Sequence, residues 1–307
     1  MRAPVIPLIL LLFLATGCEK DLADLFPGSD RELTDGLCLV AGDQVVLNHH
    51  EIEHYDYGAQ IIYLKEGVSS EELLDGETSF RVYAGGEEIY TIYVQPGYSS
   101  SLAGDGPGSA IIWTQPTFYP DFILAISRIP TFEVQVGDLA DSRQDQRIVN
   151  ALKKYGQYYE GLSCEILSCT YTAPDNVVLR LKLTNRDEVN YYYMDPEKMG
   201  TGLFHYFTNG LTLWDTENRE SYTSHTEHVQ PEPWDSWDMG WMSLLEGGSS
   251  VTITMEYNNF DAVPPGSYKA SFRFPGLGSQ VERNQVAQQY GQVWLGELSL
   301  FKGIVVK

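Results

Sequence analysis

His50-Glu51-Ile52-Glu53-His54 sets two imidazoles four positions apart and puts a carboxylate directly after the first. On a helix that spacing stacks both rings on one face, where two ring nitrogens can hold a Zn²⁺ ion and Glu51 can take a proton from metal-bound water. A second grouping, Pro233-Trp234-Asp235-Ser236-Trp237-Asp238-Met239-Gly240-Trp241, interleaves three indoles with carboxylates. Flat apolar faces stack on sugar rings while neighbouring acids accept hydroxyl hydrogen bonds. Trp234, Trp237, Trp241, Asp235 and Asp238 are therefore the candidate ligand-binding residues. A third grouping, Leu14-Ala15-Thr16-Gly17-Cys18, ends a short apolar run with small residues and a thiol.

The metal chemistry requires a helix to position it. Asn48 suits an N-cap with Glu51 at the capping-box position, and the five residues resemble the active-site helix of the zincin metallopeptidases. The resemblance stops there. Gly58 and the strand-like Ile61-Ile62-Tyr63-Leu64 limit any helix to about two turns, little chain precedes the motif, and no third ligand stands out. The expectation is a polar helical turn with Ile52 and Tyr55 packed inward and His50 and His54 solvated, so both histidines are rejected as metal ligands. No cofactor is assigned. A zinc-dependent hydrolase built on His50, Glu51 and His54 is the alternative reading. His225 and His228 form a second pair, expected in a surface loop, and His205 is expected in an apolar strand. Asp215, Glu217 and Asn218 could favour calcium, but not at an EF-hand spacing.

The N-terminus reads as a signal peptide over residues 1–17: Arg2, then an apolar stretch far short of the ~20 residues that span a bilayer. With Cys18 it resembles the lipobox of bacterial lipoproteins. That resemblance implies an acylated Cys18 as the first mature residue and the lipid bilayer as a partner, since two or three acyl chains make a lasting anchor. Glu19-Lys20-Asp21 resembles the surface-export signal of Bacteroidetes-type lipoproteins, which points to the outer membrane with the body facing periplasm or exterior. Residues 18–36 read as an acidic tether. A formal net charge of −22 disfavours nucleic acid as a partner. Of four cysteines, Cys38, Cys164 and Cys169 remain after lipidation, with their pairing open. Cys164 and Cys169 are five apart, which on one regular strand sends them to opposite faces.

The rest divides into two halves of different grammar. Residues 37–172 mix strand and helix signals and read as an α+β domain. Ile61-Ile62-Tyr63-Leu64 suggests a strand, residues 69–74 a short helix, and Gly85-Gly86 a hairpin turn; residues 142–155 suggest a helix with Ser142 and Asp145 as capping box. Residues 173–307 read as all-β. Val177, Leu179, Leu181 and Leu183 alternate with polar residues, as do Val251, Ile253, Met255 and Tyr257. Asn209-Gly210 predicts a type I′ hairpin between residues 207 and 212. The layout resembles the immunoglobulin-like β-sandwich modules of bacterial surface proteins, and more faintly the sandwich of bacterial intracellular proteinase inhibitors.

Nucleophile elbow, phosphate loop and dinucleotide fingerprint are all missing from the sequence. The expected function is a non-catalytic, membrane-anchored envelope lipoprotein that binds a glycan or another envelope protein.

Overall fold

The computed structural model describes residues 31–97, 104, 106, 108–114, 119–129, 140–208, 210–215, 217–234, 236–277 and 281–307. Cys18, Asp235 and the signal-like stretch lie outside the described residues. In chain order the elements begin with β1 (Leu37–Ala41), β2 (Gln44–Leu47), β3 (Ile52–Asp56), β4 (Ile61–Leu64), α1 (Ser70–Leu74), β5 (Ser79–Ala84), β6 (Glu87–Gln95), β7 (Ala110–Trp113), β8 (Ile123–Ala125) and β9 (Ser127–Arg128). Then come α2 (Gln146–Lys154), β10 (Tyr158–Tyr159), β11 (Leu162–Thr172), β12 (Asn176–Asn185), β13 (Tyr191–Met194), α3 (Pro196–Met199) and α4 (Thr201–Thr208). The chain continues through β14 (Leu211–Asp215), β15 (Glu220–Thr223), β16 (Met242–Leu245), β17 (Ser250–Tyr257) and β18 (Gly266–Phe274). It closes with α5 (Arg283–Val286), β19 (Ala287–Gln288), β20 (Gly291–Val293) and β21 (Leu298–Val306). The chain is mostly β, with several sheets and few helices. Among the described residues no helix is long and apolar enough to cross a membrane.

One sheet runs β2-β1-β5-β6-β7-β9 and a second β10-β3-β4-β8. Leu39, Phe80, Val82 and Ile92 of the first enclose a core with Ile52, Ile62, Leu64 and Leu124 of the second, closed by Ile148 and Leu152 of α2. Three more sheets, β11-β12-β17, β16-β13-β20-β19 and β15-β14-β18-β21, surround a larger core built on Leu179, Leu181, Leu213, Tyr257, Phe272 and Trp294.

Strand β4 explains how the two cores meet. All four of its residues are buried. Ile62 and Leu64 point into the first core, whereas Ile61 and Tyr63 belong to the second, together with Ile123 of β8. A strand covered on both faces needs apolar residues at every position, which is why this run does not alternate. The second sheet is thus a wall shared by both halves. Strand β11 pairs along its length with β12, so the strands around the second core begin at Leu162, upstream of the compositional change near residue 173.

Several local expectations are corrected. Residues 142–155 split into a 3-10 turn (Ser142–Gln144) and α2, because Asp145, not Ser142, accepts the Arg147 N–H and caps the helix. Residues 201–208 form α4, so Gly210 (φ +73°) follows a helix instead of closing a hairpin. A helix C-terminus and a type I′ turn both call for a residue tolerant of positive φ. His205 accordingly sits on a helix. Residues 31–36 are not all free tether: Leu33 is buried with Cys38, Val40, Val45 and Tyr83. Cys38, Cys164 and Cys169 are all free thiols. A bulge in β11 between Ile166 and Ser168 changes the pleat, so Cys164 opposite Leu183 and Cys169 opposite Leu179 both pack on the second core.

Candidate functional site

The histidine motif is taken apart by its backbone. Asn48 opens a turn in which its side chain accepts the His50 N–H and its carbonyl accepts the Glu51 N–H. Glu51 accepts the Asn48 N–H and pairs with Arg31 at 2.8 Å. β3 then begins at Ile52, and a bulge between Ile52 and His54 brings His54 opposite Tyr63. His54 is buried, not solvated as expected: its ring stacks on Tyr63 at 4.1 Å and lies 4.6 Å from Tyr159. Burial lowers its pKa to about 4 and keeps it neutral. His50 is exposed beside the His49 ring at 3.9 Å. The shared helical face on which the metallopeptidase motif sets its two histidines is absent here. Ile52 and Tyr55 do pack inward, as expected.

The second histidine pair is separated as well. His225 Nε2 is 2.7 Å from Asp261 Oδ1, while His228 is exposed and faces the ring of His205 at 5.6 Å. Asp215 accepts the Glu217 and Asn218 N–H groups, which occupies its carboxylate within a turn.

Of the tryptophan cluster, Trp237 and Trp241 are half-buried and pack against the second core. Trp241 also lies 6.1 Å from Phe207. Asp238 accepts the Gly240 N–H and caps the 3-10 turn Met239–Trp241. Trp234 is 52 % exposed. The structure therefore leaves one indole of the three as an open face. Elsewhere Trp294 is buried, whereas Trp113 and Trp214 are half-buried.

Trp294 marks a junction where the halves interlock. Its indole N–H donates to Asp56 Oδ2 at 2.9 Å, and Asp56 Oδ1 accepts the Ala59 N–H at 2.9 Å. Burial pushes the Asp56 carboxyl up to about 7, with these hydrogen bonds opposing the rise. Close approach here depends on glycine. A Cβ at Gly161 would fall 2.1 Å from Asp56 Oδ1, and one at Gly296 would fall 2.3 Å from the Ala59 Cβ.

Both halves also line a cleft of about 740 Å³, formed by Gly67, Val68, Ser69, Glu71, Tyr119, Pro120, Asp121, Phe122, Val281, Glu282 and Arg283. Its floor is held by Arg283, whose Nη1 donates to the Leu64 carbonyl at 2.6 Å and to Glu53 at 3.1 Å. The same guanidinium sits 4.7 Å above the Phe122 ring. The carboxylates of Glu71 and Asp121 make no hydrogen bond or ion pair among the described residues and stand exposed on the rim, while Glu282, also exposed, forms a capping box with Gln285 at the start of α5. Among the described residues no three His, Cys, Asp or Glu side chains converge as a metal site. The acids are spread as acceptors around a volume of small-ligand size.

None of Asp121, Phe122, Glu282 and Arg283 stands out in the sequence. Their positions are more than 150 residues apart, and no local pattern links them. No protein-family model matches the chain, and no curated protein matches it in sequence.

Proposed function

We infer that this chain is a non-catalytic lipoprotein of a bacterial envelope, held at the membrane through an acylated Cys18, and that its body binds a glycan in the junction cleft. The cleft carries the reading. It combines a half-open volume with the unengaged carboxylate acceptors of Glu71 and Asp121, a fixed guanidinium donor, and the aromatic side chains of Tyr119 and Phe122. Such a lining suits a polyhydroxylated, uncharged ligand better than an anion, which the surrounding acids would repel. The architecture that goes with it is an α+β first half and an immunoglobulin-like sandwich as the second, set around the shared wall. The anchor rests on the lipobox-like residues 14–18, and the outer membrane on Glu19-Lys20-Asp21.

Two measurements test this. In bacteria fed an alkyne-tagged palmitate, the wild-type chain is expected to carry the tag in the membrane fraction and Cys18→Ala to lose it. An untagged wild-type chain contradicts the anchor. A glycan screen on the detergent-solubilised chain is expected to return hits that the double variant Asp121→Asn/Glu282→Gln loses. A screen without hits contradicts the ligand class.

A further inference from the structure

Among the described residues two buried side-chain polar atoms lack a hydrogen-bond partner, Gln157 Oε1 and His205 Nε2. An unsatisfied buried polar group destabilises by about 1–3 kcal/mol, and native proteins rarely keep one without an ion or water to meet it. Gln157 is otherwise engaged, because its amide nitrogen donates to the carbonyls of His49 and Ile52, each at 2.6 Å. No corresponding bond is found for the ring of His205, although this residue is only 1 % exposed.

The surroundings of His205 are built, not incidental. It lies on α4, and the segment carrying His228 crosses that helix at Gly202. The Val229 N–H donates to the Gly202 carbonyl at 3.0 Å. A Cβ at Gly202 would come within 2.7 Å of Val229 Cγ2, so the crossing requires the missing side chain. This crossing sets the His228 ring 5.6 Å from that of His205. Zn–N bonds of about 2.0–2.1 Å put the centroids of two imidazoles on one tetrahedral zinc roughly 5 Å apart. The observed 5.6 Å lies within about 1 Å of that separation, and the His228 side chain is exposed. Tyr257 closes the other side with its ring at 5.0 Å, and its hydroxyl is directed to the Met255 sulfur at 3.9 Å. His225 is held away by Asp261.

We propose that His205 and His228 form a two-imidazole site for Zn²⁺, completed by water. Imidazole ligands with open, water-filled positions suit zinc and the neighbouring first-row metals, whereas Ca²⁺ and Mg²⁺ prefer oxygen. The site is separate from the junction cleft and independent of the glycan reading.

The test is calorimetric titration of zinc chloride into the metal-stripped, detergent-solubilised full chain. Wild type is expected to bind one ion saturably. His228→Ala, an exposed position whose loss leaves the core intact, is expected to weaken binding by at least about tenfold. His205→Gln should do the same with an unchanged circular dichroism spectrum, and His50→Ala should bind like wild type. Absence of saturable binding, undiminished affinity in His228→Ala, or loss of binding in His50→Ala each overturns the proposal.

Discussion

The junction cleft and the tryptophan segment around residues 233–241 both set aromatic rings beside carboxylates, and the fold uses them in opposite ways. In the segment, adjacency along the chain is used up locally: Asp238 caps a turn, and Trp237 and Trp241 cover the second core. In the cleft, Glu71, Asp121 and Glu282 come from separate parts of the chain, and Glu71 and Asp121 keep their carboxylates unengaged among the described residues. The histidines repeat the contrast. The five-residue motif is dispersed by a turn and a bulge, while His205 and His228, which no motif links, are brought together with their rings 5.6 Å apart. Side chains close in sequence are the ones a local turn can occupy for its own hydrogen bonds. Groups left unengaged are more often those that tertiary structure assembles.

The most severe way to break this contrast is to remove the junction. Trp294→Ala would delete a fully buried indole and leave the buried Asp56 Oδ2 without its indole N–H donor. A loss of about 3–5 kcal/mol is expected by chemical denaturation, with glycan binding lost as the cleft walls separate.

Next in size is a pair of opposing pH effects. The Asp56 carboxyl is raised to about 7, so the folded state holds its proton more tightly than the unfolded chain does. Its contribution to stability is therefore greatest below about pH 4 and declines as pH rises towards 7. His54 is lowered to about 4, so the unfolded chain binds its proton more readily. That contribution is present above pH 6.5 and is lost as pH falls towards 4. A displacement from 6.5 to about 4 corresponds to about 3 kcal/mol. Compared with wild type, Asp56→Asn should show a Tm that rises more steeply between pH 4.5 and 7.5. His54→Leu should show one that rises less or falls. Parallel profiles for all three proteins would contradict these burial-driven displacements.

Trp234→Ala is the smallest perturbation. The exposed indole can be removed with a change in stability within about 0.5 kcal/mol, and the cleft should be unaffected. A larger loss in denaturant would show the segment to be structural throughout.

How much of this was legible follows from burial. Val177, Leu179, Leu181 and Leu183 announced β12 because one face meets the core and the other meets solvent. The unbroken Ile61–Leu64 run announced a strand, but not the fact that its two faces serve different cores. Bulges hid the rest. Ile52 and Tyr55 are three apart, a helical spacing, yet one extra residue in a strand also puts them on one face. The β11 bulge likewise brings Cys164 and Cys169 to a common side. Asn209-Gly210 announced a reversal of the chain without saying whether a strand or a helix precedes it. The cleft left no signal, because Asp121 and Arg283 meet through tertiary packing alone.

The central claim is that the ligand seat is the cleft and not the tryptophan segment. The direct test is the affinity of the full chain for one glycan hit, measured in wild type, Asp121→Asn/Glu282→Gln and Trp234→Ala. The account predicts at least about a tenfold loss in the cleft variant and an unchanged affinity in Trp234→Ala. Retained affinity in the cleft variant, with loss in Trp234→Ala, would contradict it.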